Sequence, residues 1–307
     1  MTTQYLNAIF KRLNEYFLFK NKRQLKTTEL DFRRKIISSK EYAPIFFLST
    51  GRTGTKFFTQ LLSKSNQTMV FHSPYNLFCN AQSELIEQGK VAFEMYSKYG
   101  FNDLRTNKLL SQLLMASREE LLYKTFIHKK TYIETNNRIT FLAPAIKYIF
   151  PNAKFVHLYR HPGEFIRSGI RRNYYDDSSN SIHELGRLIP LENSIYHKEW
   201  LNFDNIQKIA WMWNETNKFI DDFLEILHDE DYFAFNFNEL NTKKIQELCI
   251  FLNIKDIDES KIRKSINRPT NIQRSGSFPK YKFWEDIDKK KVKDICTKQT
   301  LKYGYEL

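Results

Sequence analysis

The stretch from Pro44 to Lys64 constrains this chain more than any other. Pro44-Ile-Phe-Phe-Leu-Ser49 is a short apolar run bounded by Pro44 and Gly51, the pattern of a fully buried strand. Thr55–Lys64 follows with helical spacing and puts Phe57, Phe58, Leu61 and Leu62 on one face. Between them lie Gly51 and Gly54, which allow a tight turn whose backbone N–H groups point inward. Those donors and the positive end of the next helix make a site for a phosphate or a similar anion. The hydroxyls of Thr53 and Thr55 add hydrogen bonds, and Arg52 or Lys56 adds a full charge. In open α/β folds such a ligand sits beyond the carboxyl ends of parallel strands.

The rest of the chain repeats that alternation. Strands are expected at Thr68–His72, Thr131–Glu134, Lys154–Tyr159 and Tyr232–Phe237. Helices are expected over much of Gln82–Arg118, at Leu142–Phe150, Glu164–Arg172, Asn205–Leu227 and Glu239–Leu252, and from about Glu285. Strands separated by helices indicate βαβ units, and so an α/β fold around a mostly parallel sheet. Arg268–Lys282 is polar and reads as a loop. The first part of the chain differs from the rest. Leu6, Ile9, Phe10, Leu13, Tyr16 and Phe17 recur at helical spacing among Lys11, Arg12, Lys20, Lys22 and Arg23. This predicts a basic amphipathic extension over residues 1–42, lying on an anionic membrane surface or packing on the domain at 43–307.

With 48 Lys and Arg against 35 Asp and Glu, the net charge of +13 favours an anionic partner without choosing one. No apolar run approaches the ~20 residues of a membrane span, and no secretory signal is apparent at the start. Cys79, Cys249 and Cys296 are scattered and never spaced CxxC, so neither a disulfide framework nor a cysteine zinc site is expected. The seven histidines show no metal-like pairing either, and no metal is expected.

A second motif carries its own chemistry. The strand ending at Tyr159 leads into Arg160, a His161-Pro162-Gly163 turn and a helix in which Ser168 falls about two turns along. Strand end and helix can bring the Arg160 guanidinium and the Ser168 hydroxyl together on one phosphate. Arg167, Arg171 and Arg172 add to the positive field. The first turn departs from the nucleotide-hydrolase pattern GxxxxGK[ST], and the strand at 154–159 offers no carboxylate for magnesium. A magnesium-independent anionic donor fits better than ATP.

Together the two motifs resemble the sulfotransferases that use 3′-phosphoadenosine 5′-phosphosulfate (PAPS), in the bacterial, carbohydrate-type branch. TGRTGTKFF at 50–58 is similar to that family's 5′-phosphosulfate loop, and YRHPGEFIRSG at 159–169 to its 3′-phosphate segment. FHSP at 71–74, YIETNNR at 132–138, IAWMWN at 209–214 and GYE at 304–306 are further family-like pieces. The resemblance implies a three-layer, P-loop-like sulfotransferase fold over residues 43–307. It implies that Gly51, Thr53, Gly54, Thr55 and Lys56 hold the 5′-phosphosulfate, with Arg52 neutralising the leaving phosphate. Arg160 and Ser168 would bind the 3′-phosphate, and Arg274 and Gly276 would belong to a late cofactor-covering loop. Relatives often carry His-Glu-Pro where this chain has His72-Ser73-Pro74, so a candidate carboxylate base is missing. Asn236-Phe-Asn-Glu-Leu240 also departs from a more usual Arg-Tyr-Glu-Asp-Leu.

Sulfuryl transfer to a hydroxyl needs a proton acceptor near neutral pH. His72, at the end of the second strand, is the first candidate, and Glu134, at the end of the third, is the second. The expected activity is transfer from PAPS to a hydroxyl on a carbohydrate or glycolipid, in the cytoplasm or at the inner face of a membrane, with no specific nucleic-acid partner. A non-catalytic binding module for anionic glycan, lipid or nucleic acid, and a magnesium–nucleotide kinase, are the alternatives.

Overall fold

A computed structural model describes residues 26–72, 82–176, 184, 186–268 and 276–307. Five strands form one all-parallel sheet: β1 (Ile45–Leu48), β2 (Thr68–Phe71), β3 (Thr131–Glu134), β4 (Lys154–Tyr159) and β5 (Tyr232–Asn236). Their order is β2-β3-β1-β4-β5. β1 is therefore central, and its four residues are all buried, as a strand covered on both faces must be. The chain leaves β1 for one half of the sheet and crosses to the other at β4. The carboxyl ends of β1 and β4 thus lie side by side at the reversal point, where open α/β sheets bind ligands.

Alternate side chains divide the core into two layers, because successive strand residues point to opposite faces. Ile45, Phe47, Ile133, Val156 and Leu158 face a layer closed by α2 (Thr55–Leu62), α8 (Thr242–Phe251) and α9 (Glu259–Ile266). Phe46, Leu48, Tyr132 and Phe155 face a larger layer. It is built from α1 (Lys26–Ser38), α3 (Gln82–Tyr99), α4 (Leu104–Ile127), α5 (Ala143–Ile149), α6 (Pro162–Ile170), α7 (Asn205–Leu224) and α10 (Asp286–Lys302). This is the three-layer architecture the sequence led us to expect.

Several boundaries move for local reasons. The helical stretch expected from Gln82 breaks at Gly100, whose φ of 79° ends α3, and Asp103 caps α4 by accepting from the Thr106 N–H at 2.8 Å. The helix after β4 starts at Pro162, because proline is preorganised for the first helical turn. α9, capped by Asp258, went unread in the sequence. Phe32 and Ile36 of α1, inside the expected 1–42 extension, bury in the main core, Phe32 against Tyr123 and Phe126. The amphipathic pattern at Leu6–Phe17 lies outside the described residues. None of the described helices is long and apolar enough to cross a membrane, and the described thiols, Cys249 and Cys296, are buried.

The arm of the sheet beside β5 is tied down by a polar network. His157 on β4 is fully buried and its Nε2–H donates to Asn217 Oδ1 at 3.1 Å. Asp221, 3.9 Å from His157 Nδ1, accepts from Gln299 Nε2 at 2.7 Å and from the Tyr303 hydroxyl at 3.0 Å, joining α7 to α10. Burial pushes the His157 pKa down from the usual 6.5 to about 4. In that window the unfolded chain binds a proton that the folded chain refuses, so stability is present above pH 6.5 and is lost as pH falls towards 4. Denaturant unfolding at pH 7 and pH 5 should show a loss of about 2 kcal/mol attributable to this group, and His157→Gln should remove that part of the slope.

Candidate functional site

The turn after β1 is held open by its own backbone. Gly51 and Gly54 have φ of 79° and 93°, and Arg52 takes the left-handed region at 57°, which is uncommon for a side-chain-bearing residue. A Cβ at Gly54 would sit 2.1 Å from the Phe237 ring, and one at Gly51 would press the Asn137 carboxamide at 3.0 Å. Both positions need glycine for space as well as for φ. The loop's root is fixed by Thr140, whose Oγ1 accepts from the Ser49 N–H at 2.9 Å and donates to the Ser49 carbonyl at 3.0 Å. Gly54 caps α2 without a side-chain hydrogen bond, so no side chain competes for the helix's leading N–H groups. Thr53 is fully buried and its Oγ1 has no partner among the described residues.

The second motif meets the first at one contact. Arg52 Nε donates to Ser168 Oγ at 3.0 Å, across 116 residues of chain. Arg160 follows β4, with its Nη2 3.1 Å from Glu164 Oε2 and its guanidinium 5.8 Å from the centre of the Phe237 ring. Its carbonyl accepts from Trp213 Nε1 at 3.0 Å, while its buried Nε has no partner among the described residues. Burial lowers the pKa of Arg52, and the nearby charges of Arg172 and Arg160 lower it further. An anion in this cleft would relieve that crowding.

Two further chain segments pack against the second motif and the end of β5. His161 caps α6 by accepting from the Gly163 N–H at 3.1 Å, and its Nε2 reaches the Glu306 carbonyl at 3.1 Å. The Tyr305 hydroxyl donates to Asn236 Oδ1 at 2.6 Å, so GYE at 304–306 packs on the end of β5. The segment after Gly276 docks on α6. Arg171 Nε donates to the Gly276 carbonyl at 3.0 Å, and Arg167 Nε to the Phe278 carbonyl at 2.9 Å. Gly276 has φ of 69°, and a Cβ there would lie 2.7 Å from the Arg171 carbonyl oxygen. Arg274 lies outside the described residues.

The two candidate bases have different surroundings. His72 is part-buried with Nδ1 3.3 Å from Thr135 Oγ1, which is in turn 2.8 Å from Thr59 Oγ1. Its pKa is lowered, first by burial and then by the charges of Lys56 and Arg52, so it is neutral at pH 7 and can take a proton. Glu134 is a correction. It is completely buried on the other side of β3, where Arg118 Nη2 and Nε donate to its two oxygens at 3.1 and 3.3 Å. The Tyr132 hydroxyl adds a third bond at 2.8 Å. A carboxylate this enclosed and this well paired supports the fold and meets no substrate. Sequence reasoning missed Asn137, which abuts the Gly51 turn, and Phe237, which abuts Gly54. Asn137 stood within the YIETNNR piece, and Phe237 within the Asn236–Leu240 stretch that departs from the family pattern, but neither was read as touching the turn.

The sequence bears out the class of protein that this geometry suggests. The family model described as the sulfotransferase family matches residues 44–210, from the start of β1 into α7, and the chain belongs to that family. Among solved structures, sulfotransferase STF1 from Mycobacterium tuberculosis H37Rv is similar at TM-score 0.50 and 13% identity, over 94% of this chain and 85% of its own. Sulfotransferase STF9 from Mycobacterium avium is similar at TM-score 0.50 and 11% identity, over 89% and 80%. At such identities the likeness speaks for the fold. No curated protein sequence matches the chain.

Removing one partner of the buried pair should be far worse than removing both. Glu134→Gln alone should cost about 3–5 kcal/mol in denaturant unfolding, because Arg118 is left charged and buried. Arg118→Met with Glu134→Gln should recover part of that loss, and any variant that folds should keep the chemistry.

Proposed function

We propose that this sulfotransferase moves the sulfuryl group of PAPS to a hydroxyl on a carbohydrate or glycolipid acceptor. The Arg52–Ser168 hydrogen bond at 3.0 Å carries the reading, since it puts the glycine turn and the 3′-phosphate-type segment in one cleft. The residues present suit a ligand with two separated anionic ends. Thr53 Oγ1 and Arg160 Nε are buried polar groups without partners among the described residues, each in one of the two motifs. When bound, PAPS supplies the sulfuryl group, whose sulfur–oxygen bond to phosphate breaks as a bond to the acceptor oxygen forms, leaving adenosine 3′,5′-bisphosphate.

The chain's own groups divide the remaining work. The amides at the start of α2, with Thr53, Thr55 and Lys56, would hold the 5′ end, and Arg52 would balance charge on the leaving phosphate. Arg160 and Ser168 would hold the 3′ end, and the segment around Gly276 would cover it. His72 would take the acceptor hydroxyl's proton, with Thr135 fixing its ring. The proposal places the reaction in the cytoplasm, where the buried thiols of Cys249 and Cys296 stay reduced.

Isothermal titration with adenosine 3′,5′-bisphosphate should give saturable binding that Arg160→Ala weakens at least tenfold, a charge-assisted bond being worth ~1.5–3 kcal/mol. Binding unchanged in that variant would remove the 3′-phosphate assignment. His72→Ala should cut turnover at least ~100-fold while bisphosphate affinity stays within about twofold. Because the pKa of His72 is lowered, wild-type turnover should fall only below pH 6.5, as the ring takes a proton and can accept no other. Full turnover in His72→Ala would move the proton to another group.

A further inference from the structure

His72 ends a chain of hydrogen bonds whose proton count decides which of its ring nitrogens is free. We infer that Thr59 and Thr135 are positioning residues that keep the hydrogen of His72 on Nδ1, so that Nε2 offers its lone pair to the acceptor hydroxyl. The inference rests on the reading of His72 as the base. Three contacts in a row carry it. His72 Nδ1 lies 3.3 Å from Thr135 Oγ1, which lies 2.8 Å from Thr59 Oγ1. Thr59 Oγ1 in turn donates to the Thr55 carbonyl at 2.9 Å.

Each threonine hydroxyl has one hydrogen to give and lone pairs to receive with. Thr59 gives its hydrogen to the carbonyl one turn back in α2, a bond threonine readily makes inside a helix. The 2.8 Å contact is then Thr135 donating to Thr59. Thr135 is left with lone pairs only, so the ring nitrogen facing it supplies the hydrogen. The Phe71 carbonyl is a weaker rival for the Thr135 hydrogen, at 3.4 Å, and already accepts from the Thr135 N–H at 2.8 Å. Even that choice leaves Nδ1 as the donor. The reverse direction, Thr59 to Thr135 to the ring, makes two bonds where the forward one makes three, and takes a donor from the Thr55 carbonyl. Burial lowers the His72 pKa most, while a backbone hydrogen bond with Thr135 raises it, as an acceptor facing a ring N–H does. A neutral imidazole carries one N–H, so Nε2 is bare. In the reaction the acceptor hydroxyl's proton would go to Nε2 as its oxygen bonds to sulfur, and the charged ring keeps its Nδ1–H on Thr135. The chain's far end, Thr55, begins α2, so the base is aligned on the same turn that the donor reading uses.

Long-range nitrogen–hydrogen NMR on the full-length protein, isotopically labelled at histidine, reads the tautomer directly at pH 8, where the ring is neutral. The His72 signals are those missing from His72→Ala. They should show hydrogen on Nδ1 and none on Nε2. Thr59→Val removes the middle hydroxyl at nearly constant size and frees the Thr135 hydrogen to turn to the ring. In that variant His72 should shift towards the tautomer with hydrogen on Nε2, and turnover should fall about tenfold. Affinity for adenosine 3′,5′-bisphosphate should stay within about twofold, and Thr59→Ser should recover both the spectrum and most of the turnover. Thr59→Ala serves the same test if the valine variant does not fold. A purely structural Thr59 would lower the unfolding midpoint without moving the tautomer. The inference is overturned if wild-type His72 carries its hydrogen on Nε2, or if Thr59→Val keeps either the wild-type tautomer or the wild-type turnover. Full turnover in His72→Ala is a separate failure: it removes the base reading, whatever the spectrum shows, and the positioning role goes with it.

Discussion

One constraint organises this molecule: positive charge is concentrated where β1 and β4 end side by side. The strand order forces those ends together, and the turn after each delivers an arginine to the same cleft. Arg52 is held across the junction by Ser168, with Arg160 and Arg172 close enough to lower its affinity for a proton. Proteins do not gather like charges in a half-buried cleft without a compensating ligand or acid. Glu164 answers Arg160 in part, and the proposed anionic donor would answer more of the field.

The scaffold around that cleft is stiff where the cleft needs it. Thr140 clamps the root of the glycine turn, Asn137 and Phe237 press on its two glycines, and Trp213 holds the backbone at Arg160. Arg167 and Arg171, which add to the positive field in the sequence, each donate a guanidinium N–H to the backbone of the segment at 276–278. Glu134 and Arg118 form a buried strut beneath the end of β3, and Thr135 just after it lies 3.3 Å from His72 Nδ1.

Much of this could be read from residues alone, and the reasons are local. β3 and β4 were legible to the residue and β1 to within one, because a buried parallel strand is a run of apolar residues stopped by Pro, Gly or a charge. Both phosphate-type motifs were legible because turn chemistry and helix starts are written in adjacent residues. What failed depended on distant parts of the chain. The partner of Glu134 sits 16 residues away on a long helix, so an acid at a strand's end looked available when it was not. α9 was missed because its eight residues carry only a short apolar signal. Arg52, Lys90, Arg138, Arg172 and Arg187 line one cavity of about 330 Å³ but come from five segments that no spacing rule connects.

Hydrogen–deuterium exchange, with and without adenosine 3′,5′-bisphosphate, tests the central claim most directly. If one ligand spans both motifs, amide exchange should slow together in the segments around 49–57 and 160–172, with the same dependence on ligand concentration. Protection confined to one of those segments, or protection of the two with different midpoints, would contradict the account.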